Sequence, residues 1–202
     1  MEIKLSDVLS VIAVTVSFLT LIITIYYKYI KKGKIKVLAA DRMQLLYGPN
    51  RKAFSFTVAL SIFNIGARAI GVVRLHGFIS SGDQKNAVPF EWDAFAQGTN
   101  LAQGAGYKPF TEFTGYAEPI IVQGYSAESR TVHFVTLKPY LMTAGVHTII
   151  LGFLTGPNYK KGYTLRIPLS INQDVSNFLY EKCVCDDKTL VSKSSCWYTR
   201  KS

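Results

Sequence analysis

Phe54-Ser55-Phe56-Thr57-Val58-Ala59-Leu60-Ser61-Ile62 is the stretch that decides the fold. Large apolar side chains occupy every second position, and small or hydroxyl residues fill the positions between. That is the period of a strand with one buried face. It recurs at Tyr163, Leu165, Ile167, Leu169 and Ile171, interleaved with Thr164, Arg166, Pro168 and Ser170. Pro168 has no N–H to give to a ladder, so this strand is expected at a sheet edge or bulged there. Residues 70–79, 131–137 and 146–154 read as further strands, and 35–39, 43–47, 88–95 and 119–123 as shorter ones. Gly48-Pro49-Asn50, Asn64-Ile65-Gly66, Ser81-Gly82-Asp83 and Gly156-Pro157-Asn158 supply the turns. Beyond residue 34 a helix is expected only near 173–181. Seven to nine short strands predict an all-β, antiparallel β-sandwich over residues 35–172, with a C-terminal extension at 173–202.

Upstream the pattern is different. Val8 to Tyr27 is VLSVIAVTVSFLTLIITIYY, twenty residues without a charge. At 1.5 Å per residue a helix of that length spans about 30 Å, the thickness of a bilayer's hydrocarbon core. Basic residues follow the stretch rather than precede it, and no small-residue cleavage site comes after it, so a retained span is expected rather than a signal peptide. The expected layout is a short segment at 1–7, a transmembrane helix at 8–30 and a basic linker at 31–34. Lys28, Lys31, Lys32, Lys34 and Lys36 lie on the C-terminal side, against Lys4 with Glu2 and Asp7 on the other. Lysine asymmetry of this kind predicts a single-pass inner-membrane protein with its C-terminal domain in the cytoplasm. The same five lysines are candidates to meet anionic lipid headgroups. A four-residue linker reaches only about 13 Å, which holds the domain at the membrane surface.

Small and hydroxyl residues recur along the span at Ser6, Ser10, Ala13, Ser17, Thr20 and Thr24. The alternating four- and three-residue spacing lines one helix face, and such a seam lets helices approach closely in lipid. A homo-oligomer formed through the span is therefore expected.

Composition narrows the rest. The 202 residues are 49% apolar and 18% charged, with 23 Lys plus Arg against 13 Asp plus Glu and a net charge of +10. Disorder is excluded by the apolar content, and a disulfide-stapled mini-protein by three cysteines in a chain this long. Residues 41–202 hold 17 basic and 11 acidic side chains, spread over turns with no dense stripe, so nucleic acid is not an expected partner.

The run Leu60-Ser61-Ile62-Phe63-Asn64-Ile65-Gly66-Ala67-Arg68-Ala69-Ile70 resembles the strand-turn-strand element of immunoglobulin-like modules. Bacterial single-pass membrane proteins carry such modules directly after the span. The resemblance implies a sandwich and a binding role, and it transfers no catalytic residue. The Cys-Trp-Cys arrangement of antibody-type domains is missing.

Chemistry is sparse. Gly124-Tyr125-Ser126-Ala127-Glu128 lacks the second glycine of a nucleophile elbow, and no helix follows Gly104-Ala105-Gly106 to receive a phosphate. His76, His133 and His147 fall on different strands without ligand spacing. Cys183, Cys185 and Cys196 have no neighbouring histidine and are expected to be reduced thiols. Glu91 and Asp93 share one strand face, solvated, with Trp92 pointing to the core. No metal, cofactor or catalytic residue is expected.

The long segment 96–117, Gly-rich and bearing Tyr107, Phe110, Phe113 and Tyr116, reads as a binding loop. Arg51 and Lys52 follow one hairpin tip, and Lys160 and Lys161 another. Brought to one end, they would form a basic patch for acidic lipid or a protein partner. These features point to a membrane-anchored, non-enzymatic interaction or scaffold module. The rival reading is a ligand-sensing membrane effector, of antiviral or stress-response type, whose β-domain controls assembly of the spans.

Overall fold

The computed structural model describes residues 5–27, 33–48, 51, 53–82, 87–103, 106–156, 160–184 and 197–199. Helix α1 (Leu5–Ile25) comes first. It is long and apolar enough to cross a membrane, and none of its apolar window is buried against the rest of the chain. Ten strands follow among the described residues: β1 (Ile35–Tyr47), β2 (Phe54–Asn64), β3 (Ile70–Ser81), β4 (Val88–Gln103), β5 (Gly106–Tyr116), β6 (Ile120–Val122), β7 (Ala127–Thr136), β8 (Gly145–Thr155), β9 (Lys160–Ile171) and β10 (Trp197–Thr199). Helix α2 (Gln173–Lys182) lies between the last two, its N-terminus capped by the Asn172 side chain, which accepts from the Val175 N–H.

Two expectations change here. The segments 35–39 and 43–47 form one strand, because β1 stays paired to β2 across an irregularity between Ala39 and Met43. Ala40, Asp41 and Arg42 bulge outward and are exposed, so a charged interruption reads as a break although the ladder continues. The segment 96–117 is a hairpin rather than a loop, with β4 and β5 paired from Ala94↔Tyr116 to Gln103↔Gly106.

Every ladder between these strands is antiparallel, and the order is β10-β1-β2-β7-β4-β3-β8-β9, with β5 on β4 and β6 on β3. The sheet curls until its two ends meet. Tyr198, on β10, accepts from the Ser170 N–H at 2.9 Å and donates to the Ser170 carbonyl at 3.1 Å on β9. Pro168 lies two residues before Ser170 and faces the same edge, where a missing N–H leaves no ladder bond unmade.

Inside the curl the alternating residues of β2 meet those of β4 and β7. The Phe56 ring stacks on Phe134 at 4.9 Å and meets Phe90 edge-on at 5.0 Å, with Leu60, Leu75, Ile149 and Phe153 fully buried around them. Gly77 allows β3 and β8 to approach: a Cβ there would lie 1.9 Å from the Ile150 carbonyl oxygen and 2.6 Å from the Phe90 ring.

The ladders also define two ends of the domain. β1, β3, β7 and β9 begin, and β2, β6 and β8 end, at the end where the chain arrives from the helix, here called proximal. Asn64 organises this end and is itself buried. Its side-chain oxygen accepts from Lys34 N–H (3.2 Å) and Gly66 N–H (3.0 Å), and its amide donates to the Arg68 carbonyl (2.7 Å) and the Val122 carbonyl (3.1 Å). The distal end holds the β1–β2 turn, α2 and the segment around Met142, where Tyr47 Oη accepts from the Met142 N–H at 2.9 Å.

Candidate binding site

β4 carries the most unusual local structure. Its register against β7 shifts between Trp92 and Ala94, leaving Asp93 as an extra residue, and β5 carries a second irregularity at Thr114, opposite the step from Phe95 to Ala96. Bulges bend and twist a strand. Pairing with β7 ends at Ala96, and beyond it β4 is accompanied only by β5, so the hairpin leaves the body of the sheet.

The hairpin creates a groove of about 610 Å³ on the face of the sheet opposite the aromatic core, lined by Leu46, Ser55, Asp93, Phe113, Tyr116 and His133 among others. Leu46, Ser55 and His133 alternate with the core residues Leu45, Phe54 and Phe134, which places them on this second face. The Phe113 ring sits edge-on to the His133 imidazole at 4.8 Å. His133 Nδ1 shares a 2.9 Å hydrogen bond with Thr57 Oγ1. Burial pulls the His133 pKa down to about 4, opposed by the Asp93 carboxylate. At neutral pH the floor of the groove is therefore uncharged, with Asp93 exposed at its rim. Tyr116, 87% exposed, also borders a second groove of about 530 Å³ that includes Glu118, Ile121, Glu128 and Arg130.

The predicted site residues divide. Phe113 and Tyr116 line the groove together. Tyr107 and Phe110 sit on β5 opposite Ala102 and Thr99, and their side chains lie outside the described residues. The basic patch does not form: Arg51 belongs to the distal end, whereas Lys160 and Lys161 open β9 at the proximal end, opposite Thr155 and Leu154. Arg51 is also engaged, donating from Nε to the Tyr180 carbonyl at 2.9 Å with its guanidinium 4.4 Å over the Tyr180 ring, so it ties α2 to the β1–β2 turn. Lys34 and Lys36 are exposed at the start of β1. Lys28, Lys31, Lys32 and Lys52 lie outside the described residues, as do the side chains of Lys160 and Lys161. Along α1, the hydroxyls of Ser10, Thr20 and Thr24 each bond a carbonyl four residues earlier in the same helix. Ser6, Ala13 and Ser17 complete the expected face.

The cysteine expectation is corrected. Cys183 is buried and disulfide-bonded, not a free thiol. Its backbone carbonyl accepts from Tyr47 N–H at 2.8 Å, and the neighbouring Val184 bridges Tyr47. Sequence spacing alone did not show that the chain after α2 returns to β1. Cys185 and Cys196 lie outside the described residues.

The other histidine and acidic positions have structural work. His147 Nε2 meets the Thr143 carbonyl at 2.7 Å, so that nitrogen carries the proton, and Tyr140 donates to Nδ1 at 2.5 Å. Burial raises the Tyr140 hydroxyl to about 12, which keeps its proton in place. Glu91 pairs with Arg74 across β4 and β3. Among the described residues, no group of three or more His, Cys, Asp or Glu side chains is placed to hold a metal ion.

No family model matches the chain, and no curated protein matches it. Solved structures give distant likenesses. A protein described as ApaA from Bordetella pertussis is 12% identical, with a TM-score of 0.34 over 71% of this chain and 96% of that one. A protein from Archaeoglobus fulgidus is 8% identical, with a TM-score of 0.33 over 70% and 98% of the two chains. A family 123 glycoside hydrolase from Clostridium perfringens is also 8% identical, with a TM-score of 0.38 over 69% of this chain and 27% of the hydrolase.

Proposed function

We propose that this chain is a membrane-anchored, non-enzymatic interaction module, its α1 spanning the bilayer and its β-domain binding a protein partner beside the β4–β5 hairpin. The observation that carries the reading is the groove under that hairpin, where Phe113, Tyr116 and Leu46 offer an apolar cleft with one carboxylate, Asp93, at its rim. A partner that inserts an apolar side chain flanked by a basic group has the complementary chemistry. We read the curled sheet as a variant of the immunoglobulin-like modules that follow single spans. Self-association belongs to the same proposal. Because the α1 hydroxyls can bond within their own helix, close backbone approach along the small-residue seam would drive it.

A photo-crosslinking side chain at Tyr116 in the full-length chain tests the groove. A discrete adduct is expected there and not from Leu141 at the distal end, and Phe113→Glu should abolish it. Equal adducts from both positions, or adducts insensitive to Phe113→Glu, would remove the groove as the binding site.

Orientation has two readings. The lysines after the span support a cytoplasmic domain. The Cys183 disulfide supports the opposite placement, in an oxidising compartment, where such bonds persist.

A further inference from the structure

We infer that the proximal end of the domain is an interfacial surface that rests on the bilayer holding α1, with Ile65 and Tyr125 in the headgroup region and Lys34 and Arg68 facing anionic lipid. The inference rests on the membrane-anchor reading above and specifies which face of the domain meets the lipid.

The connection is short and then rigid. Five residues separate Tyr27 from Gly33, a reach of at most about 20 Å. From Gly33 onward the chain is held against the domain. A Cβ on Gly33 would lie 2.8 Å from the Arg68 carbonyl, and Lys34 is bonded on both sides, from its N–H to Asn64 and from the Ile65 N–H to its carbonyl at 2.8 Å. A second turn joins the first: Tyr125 N–H donates to the Gly66 carbonyl at 3.0 Å, and a Cβ on Gly124 would fall 1.9 Å from the Ala67 carbonyl oxygen. The 64–68 turn, the 124–126 turn and the arriving chain are thus one unit close to the point where α1 ends.

What this unit presents suits an interface. Ile65 is 48% exposed and Tyr125 57% exposed. Tyr125 adopts φ 53°, a left-handed conformation that Gly or Asn reaches at lower cost, so a tyrosine is displayed here against local preference. Tyrosine suits the boundary between headgroups and hydrocarbon. Lys34 and Arg68 are exposed beside it, and Lys160 opens β9 at the same end. Among the described side chains, the acidic groups towards this end are Glu128 on β7, paired with Arg130 at 2.6 Å, and Glu118, just before β6. Anionic lipid is the complementary occupant.

The test uses the full chain reconstituted into phosphatidylcholine vesicles, with and without phosphatidylglycerol, containing brominated lipid as a contact quencher. Ile65→Trp and Tyr125→Trp should each add tryptophan emission that brominated lipid quenches, more strongly with phosphatidylglycerol. Leu141→Trp at the distal end should add emission that is not quenched. Lys34→Glu with Arg68→Glu should remove the phosphatidylglycerol dependence. If positions 65 and 125 behave like 141 in a chain that resists alkaline extraction, the docking is overturned and the anchor stands. A chain that alkali extracts overturns both. If positions 65 and 125 are shielded from brominated lipid and from an aqueous quencher alike, a protein chain covers this end and the inference fails.

Discussion

The backbone N–H of Lys34 donates to the side-chain oxygen of Asn64 across 3.2 Å, fastening the chain that arrives from α1 to the turn between β2 and β3. Asn64 is 2% exposed and satisfies four backbone groups from three segments. Asn64→Ala strips the partner from groups that stay largely buried, at a cost of about 2–4 kcal/mol. Thermal unfolding of the detergent-solubilised chain should show the loss, with protease cleavage near Lys34 and Lys36 appearing below the global transition. Unchanged melting would mean that water replaces the amide without cost.

Gly77 and Gly71 lie on the same strand and make opposite predictions. A Cβ at Gly77 meets the Ile150 carbonyl and the Phe90 ring, whereas one at Gly71 meets nothing within 4 Å. Gly77→Ala should destabilise by about 1–3 kcal/mol or prevent folding, because β3 and β8 must separate. Gly71→Ala should stay within about 0.5 kcal/mol of the parent. Chemical denaturation of the pair decides, and equal midpoints would contradict the strand approach described.

His133 makes stability depend on pH in a defined window. Its folded pKa, about 4, lies below the ordinary value of 6.5, so between these values the unfolded chain binds more protons than the folded one. The contribution is complete above about pH 6.5 and is lost as pH falls towards 4, on the order of 3 kcal/mol in total. His133→Gln, which keeps a polar group for Thr57, should flatten that part of the stability curve. Parallel curves for the two proteins would show that His133 is not held neutral by burial.

The disulfide at Cys183 should appear as a mobility change between reduced and non-reduced chain, abolished by Cys183→Ser. Of Cys185→Ser and Cys196→Ser, the one that exposes a free thiol at Cys183 identifies the partner. Labelling the reduced chain with a membrane-impermeant maleimide, from each side of sealed membranes, reports which face holds the domain. Labelling that requires permeabilisation would favour the cytoplasmic reading in right-side-out vesicles.

The strand period around Phe54–Ile62 and the uncharged run Val8–Tyr27 were readable because they are local. One requires only that alternate residues face a core, the other only that a helix match an apolar thickness. The β1–β2, β2–β3 and β8–β9 connections followed from their turn residues for the same reason. The segment 96–117 was less readable. Its glycines and aromatics mimic a loop, and its strand character comes from pairing with a neighbour rather than from alternation. His133 looked like an isolated strand histidine. Only the bulges at Asp93 and Thr114, which swing Phe113 over it, made it the floor of a groove.

By itself, then, the sequence determined a long apolar helix, an antiparallel β-domain and a lysine-rich junction between them, all features set by side-chain period and charge over short stretches. Tertiary structure alone decided that Arg51 and Lys160 lie at opposite ends, that Cys183 is bonded, that Tyr198 on β10 meets Ser170 on β9, and that the Asn64 and Tyr125 turns form one proximal surface. Each of these depends on register and on contacts between residues far apart in the chain. A local side-chain period sets which face of a strand is buried and leaves open which distant segments that strand will meet.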